Sequence, residues 1–463
     1  MLTKNSVLND LLVAKEQLVE QKLLCARENH KPIVSLTLNI PGWPKDLAGA
    51  DAFFHKMLSG FYVFAKAQRI FMDECQLRTG KSAVGNYFYA PVDFAESIEN
   101  LKRITEQFEH QHALGRFIDV DVMSANGDYI SSGKQKQCFI CDEPANDCRR
   151  LQQHSVEQLR GFMQNKMLDW LKMQQKITRA KLLSEYTLFA LLAEASLFPK
   201  PGLVSPVDCG AHTDMDYNTF LVSISRLMPE LSAFYTSALS RGEPFSVAQL
   251  RELGVRAENA MFEGTQQINT HKGAIFLFLL AGSAITNLLR QNLSLSDENI
   301  RNELFKIADY FTNDPAIAKD VTNGNAVLRN FPMQKAGIRN EAASALPTVF
   351  KYGLPELRKS GYHQNLPVGK RNRALFRTLL TIMQVNSDSN VIHRGGIGKL
   401  ETVQQKAAYS YNALINNQMS PYEAFCTWCK NENISPGGSA DLLSVSIFIY
   451  LCQQNTNFSV YEL

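Results

Sequence analysis

The chain has 463 residues, of which 45% are hydrophobic and 20% charged, so it is too long and too apolar to be disordered and exceeds one typical domain. Its formal net charge of +3 is small for this length, which argues against duplex DNA or an anionic membrane as a partner and leaves room for a compact anionic ligand. Nine cysteines, an odd number with several scattered singly, are unlike a secreted disulfide framework, and we expect a reducing cytoplasm.

The N-terminal part mixes helical and strand patterns. Acidic residues interrupt its first leucine-rich stretch, which excludes a signal peptide and favours a helix over about residues 5–30. Strand patterns are predicted at Ile33–Leu38, Asn86–Tyr89 and Arg116–Met123, with a helix from about Phe94 to Gln111. The sequence therefore predicts an α+β domain in which helices pack on a sheet.

From Ser155 to Ala193 the pattern is almost unbroken helix, and strand signals become rare. The apolar stretch from Gly273 to Leu289 is broken by polar residues and is interpreted as a buried helix, not a membrane span. Further helices are predicted at 217–242, 246–264, 297–313, 368–386, 400–417 and 420–431. We expect two domains, an α+β domain over 1–160 and an all-α domain over 175–463, with the boundary between 155 and 178.

An acidic pair stands out in the last predicted strand of the N-terminal part. Asp119 and Asp121 alternate with apolar residues and therefore share one face of the strand, beside Arg116. Nucleotidyltransferases hold two magnesium ions on a triphosphate with carboxylates spaced in this way. A solvated strand face is the alternative, but charged residues are depleted in strands, which favours function.

Three cysteines and a histidine follow at short spacing. The ligand types of Cys138, Cys141, Cys148 and His154 are those of a closed structural zinc site. The short distance between the two halves and the charged residues among them favour a polar turn instead. Zinc and a turn both remain open at this stage.

Five clusters of glycine, charge and histidine, interpreted as loops, separate the predicted C-terminal helices. They are Glu194–Val204, Gly210–Asp216, Asn269–Gly273, His393–Gly396 and Ser435–Asp441. In the last cluster Gly437, Gly438 and Ser439 precede a helix, where free backbone amides favour a phosphate group. A simple helix cap formed by Ser439 and Asp441 is the alternative.

The second cluster contains the pair Asp214 and Asp216. In an extended chain these carboxylates face the same way and can share a magnesium ion with a polyphosphate, whereas in a helix they diverge. The alternative is a helix N-cap with a nearby carboxylate. His212 and His271 are weak indications singly, as are Lys200 and Lys272, which can each offer a point charge to phosphate.

Together, and in this order, the five clusters resemble the triphosphoribosyl-dephospho-coenzyme A synthase family of the citrate lyase system, over roughly residues 180–455. The resemblance implies an all-helical fold and a reaction in which the ribose 2′-hydroxyl of dephospho-coenzyme A displaces adenine from ATP. Such glycosyl transfer needs a base, for which Glu194, Asp214, Asp216 and Asp441 are candidates. The resemblance implies that Lys200, Lys272, Arg394 and the glycine loop hold the triphosphate with a metal ion, with His212 and His271 in the substrate site.

The chain departs from this family pattern at three positions. Asn323, Asn340 and Ala345 stand where a histidine and two glycines are expected. If those glycines sit at positive φ or against a ligand, their loss costs about 1 kcal/mol or blocks the approach. A changed rate or substrate choice is one consequence to test.

The N-terminal part resembles the phosphoribosyl-dephospho-coenzyme A transferase of the same pathway, over about residues 10–160. The resemblance rests on Gly115–Asp121, Ser35–Gly42 and Cys138–His154. It implies that the product of the C-terminal reaction is joined to a serine of the apo citrate lyase acyl carrier subunit, with release of pyrophosphate.

Two alternatives stay open. The same chemistry can serve the carrier subunit of malonate decarboxylase, which uses the same prosthetic group. A non-catalytic nucleotide-binding scaffold with a decayed synthase half is a different class of protein, and release of adenine from ATP separates it from an enzyme.

Overall fold

The computed structural model describes residues 4–131, 133, 135–141, 143–312 and 337–458, without the side chains of 4–8 and 309–312. The chain divides into two compact units, one ending at Gln175 and the other beginning at Lys176. The division falls within a 40-residue helix, Val156–Ala195, whose first half packs in the first unit and whose second half packs in the second.

The N-terminal unit contains an antiparallel sheet of five strands. The strands are β1 (Ile33–Leu38), β2 (Phe71–Met72), β3 (Arg78–Ser82), β4 (Gly85–Asp93) and β5 (Ile118–Met123). The order β2-β4-β1-β5 places β1 in the middle, with β3 also paired to β4. The helices are α1 (Lys4–Asn29), α2 (Ala50–Ala67), α3 (Ile98–Gln111), α4 (Ala145–Arg150) and α5 (Val156–Ala195).

The two faces of this sheet differ because side chains alternate along each strand. Val34, Leu36, Ile118, Val120 and Val122 are fully buried in a core with α2, α3 and the first half of α5. The opposite face carries the polar residues of β1 and β5 and is partly covered by α1. The α+β prediction is confirmed for the sheet and its helices, although α2, β2 and β3 were not foreseen.

Helix α3 protects the free edge of β5. Glu109 accepts a hydrogen bond from the backbone N–H of Val120 at 2.7 Å, and Lys102 donates to the carbonyl of the same residue at 2.8 Å. An unpaired strand edge otherwise exposes these groups to pairing with another chain. The two side chains therefore hold the acidic strand in place from its open side.

The regular elements described in the C-terminal unit are helices. After α5 they are α6 (Tyr217–Ser240), α7 (Val247–Gly264), α8 (Lys272–Arg290), α9 (Asp297–Thr312), α10 (Ile338–Ala343), α11 (Leu354–Lys359), α12 (Val368–Met383), α13 (Ser389–Ile415), α14 (Ser420–Asn431) and α15 (Gly437–Gln454). A π-helical turn, Val349–Gly353, leads into α11.

Helices α8 and α15 form the centre of this unit and contact each other directly. Both are buried on almost every side, which requires the nearly continuous apolar sequence that each has. By length and composition α8 can cross a membrane, but 83% of its apolar window is buried inside the unit, as the sequence predicted for a core helix. Their N-terminal ends, at Lys272 and Gly437, meet at one cavity.

One predicted loop was wrong. His393–Gly396 lies within α13, which begins at Ser389 and not near residue 400. Its helical pattern was missed because three glycines fall between 395 and 398, and Gly396 has a φ of 73° where the helix kinks. Arg394, two residues before the kink, lines the cavity.

Candidate active sites

The cavity of the C-terminal unit has a volume of about 620 Å³, a size typical of a nucleotide-sized ligand site. The first turns of α8 and α15 line it, so the positive ends of two helix dipoles lie at this cavity. The predicted site residues that line it are Glu194, Lys200, His212, Asp214, His271, Lys272, Arg394, Gly437, Gly438 and Asp441. Residues more than 200 positions apart in the sequence therefore line one cavity.

A buried ion pair forms the floor of this cavity. The Lys200 ammonium donates to the Glu194 carboxylate at 2.7 Å and to the Glu194 carbonyl at 2.8 Å, and both side chains are less than a tenth exposed. Burial lowers the pKa of Lys200, and the neighbouring carboxylate only partly offsets this. The pair is thus a fixed, desolvated charge arrangement.

Asp441 lies against the first turn of α8. The backbone N–H of Ala274 donates to its carboxylate, and a Cβ added to Gly273 would lie 2.1 Å from the carboxylate Oδ2. Glycine at 273 is therefore what lets the acid approach the helix end. Burial raises the pKa of Asp441 well above its usual value, helped by the nearby charges of Glu194 and Asp388. A carboxyl group of this kind is suited to proton transfer near neutral pH.

His271 is fully buried at the start of α8. Its Nδ1 shares a hydrogen bond with Ser223 Oγ at 2.7 Å, and its Nε2 is buried without a hydrogen-bond partner among the described residues. Burial lowers the pKa of His271 to about 3, so the ring is neutral at working pH. Next to it, Lys272 pairs with Glu258 of α7 at 2.9 Å. A neutral imidazole and a cation thus lie side by side on one wall.

His212 and Arg394 connect loops that line the same cavity. His212 Nε2 shares a hydrogen bond with Ser435 Oγ at 2.8 Å, and its Nδ1 lies 3.5 Å from the Asp214 carboxylate. Arg394 donates to the carbonyl of Ala211 at 2.8 Å. Burial and the Arg394 charge lower the pKa of His212, which leaves Asp214 with a neutral neighbour. Asp214 is itself exposed at the mouth of the cavity.

The structure does not bring two predicted residues to the cavity lining. Asp216 caps α6, accepting from the Thr219 N–H at 2.8 Å and the Thr219 hydroxyl at 2.7 Å. This favours the capping alternative over a magnesium ion shared with Asp214. Ser439 is buried and donates through both its N–H and its hydroxyl to Asp388, at 2.8 and 3.0 Å.

Asp388 was missed by the sequence analysis. Its buried carboxylate caps α13 through the Asn390 N–H and also holds the first turn of α15 through Ser439. Burial raises the pKa of Asp388 despite these hydrogen bonds. Glu258, the partner of Lys272, was also missed. Asp388 carries an N-cap signal between two helices, whereas nothing around Glu258 distinguishes it from other helix-surface acids.

The three family departures have different surroundings. Asn323 lies outside the described residues. Asn340 is helical and makes an ordinary backbone turn with Gly337, whereas Ala345 is buried with a φ of 54°, a conformation that favours glycine. The departure at Ala345 therefore carries backbone strain of about 1 kcal/mol. Neither Asn340 nor Ala345 is among the cavity-lining residues.

The acidic pair of the N-terminal unit lies half-buried on the polar face of the sheet. Asp119 is opposite Thr37 and Asp121 is opposite Ser35 in the register of β1 and β5. Lys136 pairs with Asp119 at 2.5 Å. Burial, reinforced by the charge of Asp119, raises the pKa of Asp121. Two carboxylates on one half-buried strand face repel each other, and a cation bound between them relieves this repulsion.

Two further cations lie near this pair: Arg116, which the sequence analysis placed beside it, and Lys22, which was not predicted. Lys22 of α1 is buried, donates to Ser35 Oγ at 2.9 Å and is electrostatically coupled to both aspartates. Burial lowers the pKa of Lys22. Arg116 donates to the Gln137 carbonyl, and its guanidinium lies over the Phe139 ring with 5.5 Å to the centroid. Arg116 therefore anchors the segment that follows the strand.

The four predicted zinc ligands come together in that segment. The ligand atoms of Cys138, Cys141, Cys148 and His154, here called the Cys/His cluster, all lie within 4.8 Å of one another. Among the described residues this is the group whose geometry can hold a metal ion. The turn alternative alone does not explain such convergence.

Comparison with known proteins matches both units. Residues 180–460 match the family model of ATP:dephospho-CoA triphosphoribosyl transferase. Residues 6–170 match the family model of apo-citrate lyase phosphoribosyl-dephospho-CoA transferase.

Full-length relatives contain both parts in one chain. Protein CitXG of Haemophilus influenzae is 31% identical, with 95% of each chain covered, and Protein CitXG of Leuconostoc mesenteroides subsp. cremoris is 30% identical, with 93% of each covered. A probable 2-(5''-triphosphoribosyl)-3'-dephosphocoenzyme-A synthase of Vibrio cholerae is 34% identical over 58% of this chain and 88% of its own. The chain therefore belongs to the ATP:dephospho-CoA triphosphoribosyl transferase family and, over 95% of its length, to the fused bifunctional transferases of the CitXG type.

Proposed function

We propose that the C-terminal cavity joins ATP to dephospho-coenzyme A with release of adenine, and that the N-terminal sheet transfers the product to a carrier protein with release of pyrophosphate. The observation that carries the first half is the cavity itself, where two helix N-termini, a buried lysine and four carboxylates surround a nucleotide-sized space. In this proposal ATP binds in this cavity as a substrate.

Asp441 is the base in this proposal. Its carboxyl group has a raised pKa and accepts a backbone N–H from α8, whereas Glu194 is held by Lys200. Asp441 removes the proton of the ribose 2′-hydroxyl of dephospho-coenzyme A, and that oxygen attacks the anomeric carbon of ATP as the bond to adenine breaks. The buried Nε2 of neutral His271 offers the departing base a hydrogen bond.

The triphosphate is held by charge at the helix ends. Lys272, Arg394 and the two glycines that begin α15 all line the cavity, and in this proposal they hold the phosphates. Asp214, an exposed carboxylate at the cavity mouth, fits a magnesium ion bound to the triphosphate, which would neutralise its charge. Asp216, which caps α6, has no metal role in this proposal.

The transferase half uses the acidic pair. Asp119 and Asp121 supply the oxygen ligands that magnesium prefers, with the i, i+2 spacing on one strand face that nucleotidyltransferases use, and Asp121 has the raised pKa that a nearby cation relieves. Magnesium there would neutralise the triphosphate. Lys22 and Lys136 add positive charge beside it. The carrier serine oxygen attacks the α-phosphorus and gives up its hydroxyl proton to water, and the bond to the β-phosphate breaks to release pyrophosphate.

We propose the acyl carrier (gamma) subunit of apo citrate lyase as the acceptor, because the N-terminal family model names that enzyme. The carrier subunit of malonate decarboxylase is the other client, and presenting both apo carriers to the protein separates them by mass. All nine cysteines are free thiols, which supports a cytoplasmic location.

The experiment that tests the proposal separates the two halves by single substitutions. Asp441→Asn should abolish adenine release while the protein still modifies carrier when supplied with the triphosphoribosyl product. Asp119→Asn should abolish carrier modification while the protein still releases adenine from ATP. If either substitution abolished both reactions in a folded protein, the assignment of one reaction to each unit would be wrong. If neither substitution lowered its reaction, Asp441 and Asp119 would not be the groups that carry the two steps. Absence of both reactions in the unsubstituted protein would favour the scaffold alternative.

A further inference from the structure

We propose that the Cys/His cluster binds one structural zinc ion, which fixes the segment after β5 beside the acidic pair. Neither transfer reaction uses this ion. The cluster offers three sulfur atoms and one imidazole nitrogen, all within 4.8 Å of one another. A tetrahedral zinc ion with Zn–S bonds of about 2.3 Å spaces its sulfur ligands about 3.8 Å apart. A contraction of about 1 Å at the widest pair therefore completes the site.

Two details of the cluster point to a ligand. The Nε2 of His154 is buried and makes no hydrogen bond to any described residue, a state that is unfavourable unless something binds there. The sulfur atoms of Cys138 and Cys148 are 3.4 Å apart, close to the spacing of zinc ligands and much longer than a disulfide of about 2.05 Å. A metal ion satisfies all these atoms at once.

The local chain is built like a metal-binding turn. The backbone N–H of Cys138 donates to the Glu143 carbonyl at 2.9 Å, which closes the turn that carries the first two cysteines. Cys148 comes from α4, a helix of six residues, and His154 follows it. A segment this short buries too little apolar surface to fix its own conformation, and metal ligation is one way in which small folds are stabilised.

The ligand set selects the metal and its role. Thiolates and imidazole favour zinc over magnesium or calcium, which prefer oxygen. Four protein ligands leave no open position for water or substrate, so the ion is structural.

The residues just before Cys138 connect the zinc site to the acidic pair. Lys136, two residues before Cys138, pairs with Asp119 at 2.5 Å, and the carbonyl of Gln137 accepts a hydrogen bond from Arg116. Fixing Cys138 therefore fixes Lys136 over the aspartate. Lys136 and Arg116 act as positioned groups of the transferase, and this consequence rests on the proposed transferase function.

The direct test is the metal content of the full chain. Protein produced in zinc-supplemented medium and purified without chelator should contain one zinc ion per chain by elemental analysis. Cys141→Ala and His154→Ala should lose most of it. Cys75→Ala is the matched control, because Cys75 is an exposed free thiol of the same unit outside the cluster, and it should retain the ion.

A second measurement does not depend on the variants folding. A mercurial reagent that blocks thiols should release the zinc of the wild-type protein in step with loss of the cluster thiols. Removing the ion with a strong chelator should lower carrier modification severalfold, leave adenine release unchanged, and be reversed by zinc. Zinc-free wild-type protein, or an intact mass lacking two hydrogens because of a disulfide within the cluster, would overturn the proposal. If the protein contains zinc but its removal leaves carrier modification unchanged, only the link to the transferase would be wrong.

Discussion

The buried pair of Lys200 and Glu194 allows a sharp stability prediction. Lys200→Met leaves the Glu194 carboxylate at 5% exposure without its cation, next to the acidic Asp441. Removing one partner of a buried pair costs about 3–5 kcal/mol, or roughly 6–20 °C in Tm for a unit of this size. Adenine release should be lost as well.

A matched control lies on the same helix. Lys181 pairs with Glu185 at 3.7 Å, but the two side chains are 76% and 53% exposed. Lys181→Met should therefore cost less than about 0.5 kcal/mol. The double variant Glu194→Gln/Lys200→Met removes both buried charges and should recover at least about 2 kcal/mol of the loss seen with Lys200→Met alone.

The stabilities of the unsubstituted protein and the three variants are compared by calorimetric melting of the full chain. The first unfolding transition to move identifies the C-terminal unit, and its shift gives each difference in stability. If Lys200→Met shifted the transition no further than Lys181→Met, the pair would be solvated and its proposed role as the fixed floor of the cavity would be wrong.

Three further predictions concern the same unit. Asp214→Asn should lower adenine release at least tenfold with an unchanged Tm, whereas Asp216→Asn, which keeps the cap, should leave release nearly unchanged; equal losses in a kinetic assay would restore a shared metal role. Because Asp441 has a raised pKa in the folded protein, the folded state holds its proton longer than the unfolded chain, so its contribution to stability falls as pH rises above about 4; Asp441→Asn should remove that slope from denaturant titrations at several pH values. Gly273→Ala places a Cβ against Asp441 and should abolish adenine release but not carrier modification, whereas Gly369→Ala, which meets no atom within 4 Å, should keep both activities.

Local patterns in the sequence predicted much of the fold. The strand β1 and the helices α6 to α8 follow the periodicity of apolar residues, because each has one buried face or is buried throughout. The start of helix α13 was predicted as a loop because glycine has a low helix propensity. In the structure, tertiary packing keeps the segment helical on both sides of its kink. Strand β3 was missed because its polar residues are half-buried or exposed and lack an alternating apolar pattern.

The candidate sites were predictable only as lists of residue types. Loop composition indicated Lys200, His271 and Asp441, but their convergence depends on how α5, α8 and α15 pack, which no local pattern contains. Asp214 and Asp216 could not be separated from sequence, because their roles depend on where α6 begins. Lys22 lies more than 90 positions from Asp119 and Asp121, and only the register of the sheet and the packing of α1 bring them together.

The measurement that tests the central claim most directly follows both products of one reaction. The full chain is incubated with ATP, dephospho-coenzyme A, magnesium and apo carrier, adenine is quantified by chromatography, and the carrier is weighed by mass spectrometry. The account predicts equal amounts of released adenine and modified carrier, with pyrophosphate formed in the same amount and no adenine without dephospho-coenzyme A. Release of phosphate from ATP without adenine, or adenine release that leaves the carrier mass unchanged, would contradict it.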